Sequence, residues 1–249
     1  MGGARVVLCA VAVAACGRVG FDETGAGSVT FDRASSTTAT EVSALSWNLT
    51  VDPGAVELLV FVALRTAFDG PPEVSSVGYG GSALVRLATA CPTCGPDGLN
   101  RYELWALDDP PAGTATVDVT IAGMVDGASG LASSYAGDHP ATLDATGAGF
   151  GTSAAPALSW TPSPDARWAV AGAMNQAGYA MALVPGSDEV ARSPTVCDDT
   201  NWEGQAAADR LALAGGSASF TWTIGVGSGA NCQLIAESRN WIALGAAFE

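Results

Sequence analysis

The stretch ASFTWTIGV, residues 218–226, decides the fold class. Phe220, Trp222, Ile224 and Val226 alternate with Ser219, Thr221, Thr223 and Gly225. That is a period of two, in which successive side chains take opposite faces of a strand. One apolar and one polar face mark an antiparallel strand with one side wet. Working outward, TATVDVTIAG (114–123) repeats the pattern, with Val117, Val119 and Ile121 set against Thr116, Asp118 and Thr120. VELLVFVAL (56–64) is apolar on both faces and reads as a central strand. Turn clusters separate the runs: Asp52-Pro53-Gly54, Gly80-Gly81, Asp109-Pro110-Pro111-Ala112-Gly113 and Pro185-Gly186. No segment gives a long amphipathic helix; QAAADRLAL (205–213) comes nearest and fits either period. Many strands joined by short turns predict an all-β fold, an antiparallel, jelly-roll-like β-sandwich. A membrane β-barrel is the alternative architecture.

The chain opens MGGARVVLCAVAVAACGRVG, and the apolar run from Val6 to Ala15 is an address rather than a strand or a span. Ten helical residues cover about 15 Å, half of a hydrocarbon core. One positive charge (Arg5), a short apolar stretch and small residues before a cut make a secretory signal peptide. Val13-Ala14-Ala15-Cys16 resembles the bacterial lipobox, in which the cysteine is lipidated and becomes the mature N-terminus. The resemblance implies a signal peptide over 1–15, lipidation at Cys16 and, from Gly17, sorting to the outer membrane. Residues 16–27 then form a flexible tether, and 28–249 a single β-sandwich domain. An ordinary cleaved signal is the alternative.

Charge limits the partners. The 249 residues carry a net charge of −15 and no lysine, and removal of 1–15 leaves nine arginines against 25 acidic residues. Such a chain lacks the basic footprint of a nucleic-acid binder, and lysine-based Schiff chemistry is excluded. At 48% hydrophobic residues and a mean hydropathy of +0.27, it has the means to bury a core. Six cysteines are present. Cys9 leaves with the signal and Cys16 carries lipid, so Cys91, Cys94, Cys197 and Cys232 remain. An even number in an exported chain predicts disulfides, Cys91–Cys94 and Cys197–Cys232. A four-thiolate zinc site is the alternative.

The segments VSSVGYGGSALVRLATA (74–90), RYELWALDDPPAGTATVDVTIAG (101–123) and SRNWIALGAAFE (238–249) resemble parts of a secreted β-sandwich module of bacterial and archaeal surface proteins. The similarity runs through the mature chain in order and is weakest over 150–215. It implies fold and location, and no catalytic activity.

Catalytic candidates are few. His139 is the single histidine, in the turn sequence Gly137-Asp138-His139-Pro140, and no G-x-S-x-G elbow supplies a nucleophile. Asp108 and Asp109 precede Pro110 and read as turn formers. Arg101 and Glu103, two apart on one strand face, read as a surface ion pair. Gly78-Tyr79-Gly80-Gly81 is followed by strand and so is no phosphate loop. In CDDTNWEG (197–204), Asp198, Asp199, Asn201 and Glu203 offer oxygen ligands for calcium, and Trp202 offers an exposed indole for a sugar or a partner protein. The expected function is non-enzymatic: an envelope-anchored lipoprotein displaying a structural or adhesive binding module. A carbohydrate-binding module, calcium-assisted, and a hydrolase with unidentified carboxylates are the alternatives.

Overall fold

A computed structural model describes residues 29–66, 70–91, 100–138, 141–176, 181–185, 190–192, 203–213, 216–226, 235–236 and 239–249. Every helix-or-strand element among them is a strand. The first seven strands form one antiparallel sheet: β1 (Thr30–Val51), β2 (Ala55–Arg65), β3 (Val74–Tyr79), β4 (Ser82–Ala83), β5 (Val85–Ala90), β6 (Asn100–Asp108) and β7 (Gly113–Ala136). A second sheet has the order β12 (Val190–Ala191), β13 (Glu203–Arg210), β10 (Trp168–Gln176), β16 (Arg239–Phe248), β8 (Leu143–Ser153). A third contains β9 (Ala157–Trp160), β11 (Met181–Pro185), β14 (Ala218–Val226) and β15 (Ile235–Ala236). The chain is therefore an all-β, antiparallel, sandwich-like fold, with a third sheet beyond the two of a plain sandwich.

The long strand β7 shapes the first sheet. Its first half pairs with Ala44–Val51 of β1 and with β3; its second half pairs with the start of β1 and with β2. Between Ala44↔Thr120 and Val42↔Val125, residues 121–124 of β7 oppose Ser43 alone. Such an excess bends a strand and increases its twist. The sheet folds over on itself and closes around Leu45, Leu49, Val60, Val62, Val77, Val117 and Val119. The β3–β4 hairpin helps, since Gly80 and Gly81 at φ +57° and +90° turn the chain between Tyr79 and Ser82. Two successive positive φ values match the right-handed strand twist. The Tyr79 hydroxyl donates to the Gly113 carbonyl at 2.8 Å, pinning that hairpin to the start of β7.

The other face of β2, β6 and β7 meets the second sheet. Leu59, Phe61, Tyr102, Leu104 and Leu131 pack there against Trp168, Val170, Met174, Leu244 and Phe248. Tyr135, Trp168 and Phe248 form an aromatic ladder across this layer, with centroids 4.8 and 4.3 Å apart. The back of the second sheet, Ala169, Ala171, Ala173, Ala206, Ala208 and Ala243, meets Leu158, Phe220, Trp222 and Ile224 of the third. The middle sheet is thus covered on both sides, which is why every residue from Trp168 to Asn175 is buried.

The readings of the two alternating stretches hold: Phe220, Trp222 and Ile224 are buried, Ser219 is half-buried and Thr221 and Thr223 are exposed, and Val117, Val119 and Ile121 are buried. VELLVFVAL is the central strand β2, flanked by β6 and β7. The ambiguous QAAADRLAL resolves as β13 over most of its length, because pairing with β10 along the whole strand supplies its hydrogen bonds.

Candidate functional site

VELLVFVAL holds one charged residue, and it turns inward. Glu57 sits near the start of β2, directly opposite Asp108 of β6 and Tyr135 of β7. It shares the strand face of Leu59, Phe61 and Ala63, which looks into the layer between the first and second sheets. Residue 57 is 0% exposed, and both carboxyl oxygens are closed off from solvent. Burial, then the charge of Asp108, a hydrogen bond to its side chain and the charge of Asp109, push its pKa up to about 9. At neutral pH Glu57 is therefore a protonated acid able to donate.

Glu57 and Asp108 line a cavity of about 540 Å³. Its walls are Val85 and Leu87 of β5, Ala106 and Leu107 of β6, Leu143 of β8 and Phe248 of β16. The cavity lies where the open edge of the first sheet meets the edge of the second. Val85 and Leu143 are among the few large apolar side chains that remain exposed, at 67% and 40%. Directly opposed residues on neighbouring strands stand roughly 4.5–5.5 Å apart at Cα, so the two carboxyls lie side by side. They present one acidic point at the end of an aliphatic hollow. Asp108 was read from the sequence as a turn former; it closes β6 and belongs to this pair, while Asp109, at φ +49°, makes the turn. The signal available for Glu57 was a lone acid inside an otherwise apolar run.

A second acidic group has the opposite character. The expected surface pair Arg101–Glu103 is buried: Glu103 is 0% exposed. The chain entering β3 roofs this face of β6. The Glu103 carboxylate accepts from the Val74 amide at 3.2 Å and from the Trp105 indole N–H at 3.1 Å. Arg101 and Arg86 flank it at 3.5 and 3.6 Å, and both also reach Glu73 at the surface. Every lone-pair direction is spoken for, so this cluster ties β3, β5 and β6 together as a structural clasp. A third group pairs Arg192 with Asp209 of β13, the Nη2 atom 2.8 Å from Oδ1. The guanidinium also lies 4.1 Å over the Phe31 ring. Burial raises the Asp209 pKa while Arg192 opposes the rise. The sequence reading singled out none of Asp209, Arg192 and Glu57.

Of the residues singled out in the sequence, Cys16, Cys94, His139, Cys197, Asp198, Asp199, Asn201, Trp202 and Cys232 lie outside the described residues, as do the signal and tether. Cys91 directly follows β5 and is not a free thiol. Glu203 opens β13, its backbone opposite Gln176. No protein-family model matches the chain, and no curated protein is significantly similar to it.

Proposed function

We propose that this chain is a non-enzymatic lipoprotein, anchored at the bacterial outer membrane through Cys16, whose β-sandwich module binds a small ligand or partner group at the envelope. The observation that carries the binding half of this reading is the cavity at the edge between the first two sheets, rimmed by exposed Val85 and Leu143. Concave, mostly apolar hollows of some 300–1,000 Å³ with a few placed polar groups are the usual form of ligand sites. The anchoring half rests on the lipobox-like VAAC and on the likeness to secreted surface modules. In the same reading Cys91 pairs with Cys94 and Cys197 with Cys232, as an exported chain allows.

Two experiments test it. Cys16→Ser should release the protein from membranes or block its processing; a mature, unlipidated chain that stays membrane-bound overturns the anchor. Methyl NMR of the protein against a fragment library should shift Val85, Leu87 and Leu143 together; fragments that bind elsewhere overturn the cavity as the site.

Glu57 and Asp108 give the hydrolase reading its one specific support, as a protonated acid beside a second carboxyl. Glycoside cleavage, however, places two carboxyls on either side of the scissile bond. This pair stands side by side on one sheet face. Turnover of any glycoside abolished by Glu57→Gln would reverse that preference.

A further inference from the structure

We infer that β8 is a dimerisation edge, pairing antiparallel with β8 of a second copy of this chain about a two-fold axis at Gly149.

The other terminal strands of the three sheets carry devices that prevent such pairing. β1 is bulged between Phe31 and Arg33 and between Val42 and Ala44, and it bears Arg33 and Glu41. β5 is bulged between Arg86 and Ala88, and Arg86 is held in the Glu103 cluster. β4, β12 and β15 are two residues long. β11 ends on Pro185, and β9 has four residues set between Pro156 and Pro162. Bulges, charges, prolines and short length all blunt an edge. β8 has none of these beyond Asp144. From Ala145 to Ala247's other partners it runs in register with β16 as far as Ser153, without a charged residue or a proline. No strand among the described residues pairs with its other side.

The sequence of that stretch, ATGAGFGTS (145–153), is matched to its own reverse. With Gly149 on the axis, Thr146 stands opposite Thr152 of the second copy, Gly147 opposite Gly151 and Ala148 opposite Phe150. Each pair sets like against like or small against large. The register also keeps the faces of both copies aligned, because side chains alternate with period two. Thr146, Ala148, Phe150 and Thr152 form the exposed row of β8, and Phe150 is 64% exposed. Across the axis the two Phe150 rings become diagonal neighbours, within reach of each other, and each covers Ala148 of the other copy. The pairing fills a free row of backbone N–H and C=O groups on both copies and joins two five-stranded sheets into one. Each copy carries a net charge of −15, yet residues 145–153 bring no charged side chains together.

The test is analytical ultracentrifugation of the full chain over a concentration series, at about 0.15 M and about 1 M salt. The mass should double with concentration and go no further, because a two-fold contact closes on itself. The higher salt should tighten the dimer, since it screens the repulsion between acidic copies. Phe150→Lys and Ala148→Lys, both at exposed positions, should each weaken it about tenfold or more while leaving the monomer's thermal unfolding unchanged. In a mixture of methyl-labelled and unlabelled chains, the Ala148 methyl should show a nuclear Overhauser contact to the Phe150 ring of the second copy. A chain that stays monomeric throughout overturns the inference. So does a dimer that both lysine variants leave intact, a dimer without that contact, or assembly that continues past two copies. If Phe150→Lys unfolds the chain, Ala148→Lys decides the matter alone.

Discussion

Two of the strands buried on both faces are built from opposite materials. β2 runs VELLVFVAL, filling both of its faces with large side chains. β10 runs WAVAGAMNQ, and its middle is Ala169, Ala171, Gly172 and Ala173. The difference follows from what lies opposite. β2 forms part of a sheet that closes around its own interior, so it must supply the bulk that fills it. β10 lies between two sheets that both send aromatics toward it, so it must supply room. Phe61 and Tyr102, stacked at 5.6 Å, come down onto Gly172, where a Cβ would stand 2.7 Å from the Phe61 ring. The same division recurs at the edge of the middle sheet. Trp160 lies over the cross-strand pair Gly147 and Gly245, where Cβ atoms would fall 2.7 and 2.5 Å from its ring. Close packing is reached by interlocking large with small rather than by uniform side chains.

The comparison is most strongly broken by removing the bulk. Phe61→Ala should cost about 3–5 kcal/mol, because the void opens where three strands and the facing sheet meet. Denaturant unfolding measures it, and a loss under about 1 kcal/mol would mean that the layer collapses freely.

Filling the room is next in size. Gly172→Val should cost about 1–3 kcal/mol by overpacking against Phe61 and Tyr102. If the two residues share one space, Phe61→Ala with Gly172→Val should cost less than the sum of the singles. Strict additivity in that cycle would show that the strands do not interlock there.

A pH-dependent effect sharpens the contrast within β2 itself, where one acid breaks an apolar strand. Folded Glu57 keeps its proton up to about pH 9, whereas a free carboxyl releases it near 4.5. Between those values the folded state binds more protons than the unfolded one. Its contribution is therefore full below pH 4.5 and is lost as pH rises through about 9. Glu57→Gln should flatten that decline, with a gain of up to a few kcal/mol at pH 10 and little change at pH 4. Parallel pH–stability curves for the two proteins would show that Glu57 is not held protonated.

The sequence by itself determined the class of structure. Period-two alternation in 114–123 and 218–226, and the Gly80-Gly81 and Asp52-Pro53-Gly54 turns, are properties of a few neighbouring residues. Any fold containing those strands must respect them. Net charge and the absence of lysine likewise are read without coordinates. Tertiary structure alone decided which faces are covered. Arg101 and Glu103 have the local pattern of a surface pair, and they are buried because the chain before β3, distant in sequence, crosses over them. The alanines and glycines of β10 and β16 carry no alternation, since a strand covered on both sides has no polar face to show. Glu57 is a single acid in an otherwise apolar run. Its pairing with Asp108 and its place in the cavity arise from register across β2 and β6, which local sequence does not encode. Burial depends on the partner layer and periodicity on the strand, so the sequence showed the strands and the stacking of sheets made the site.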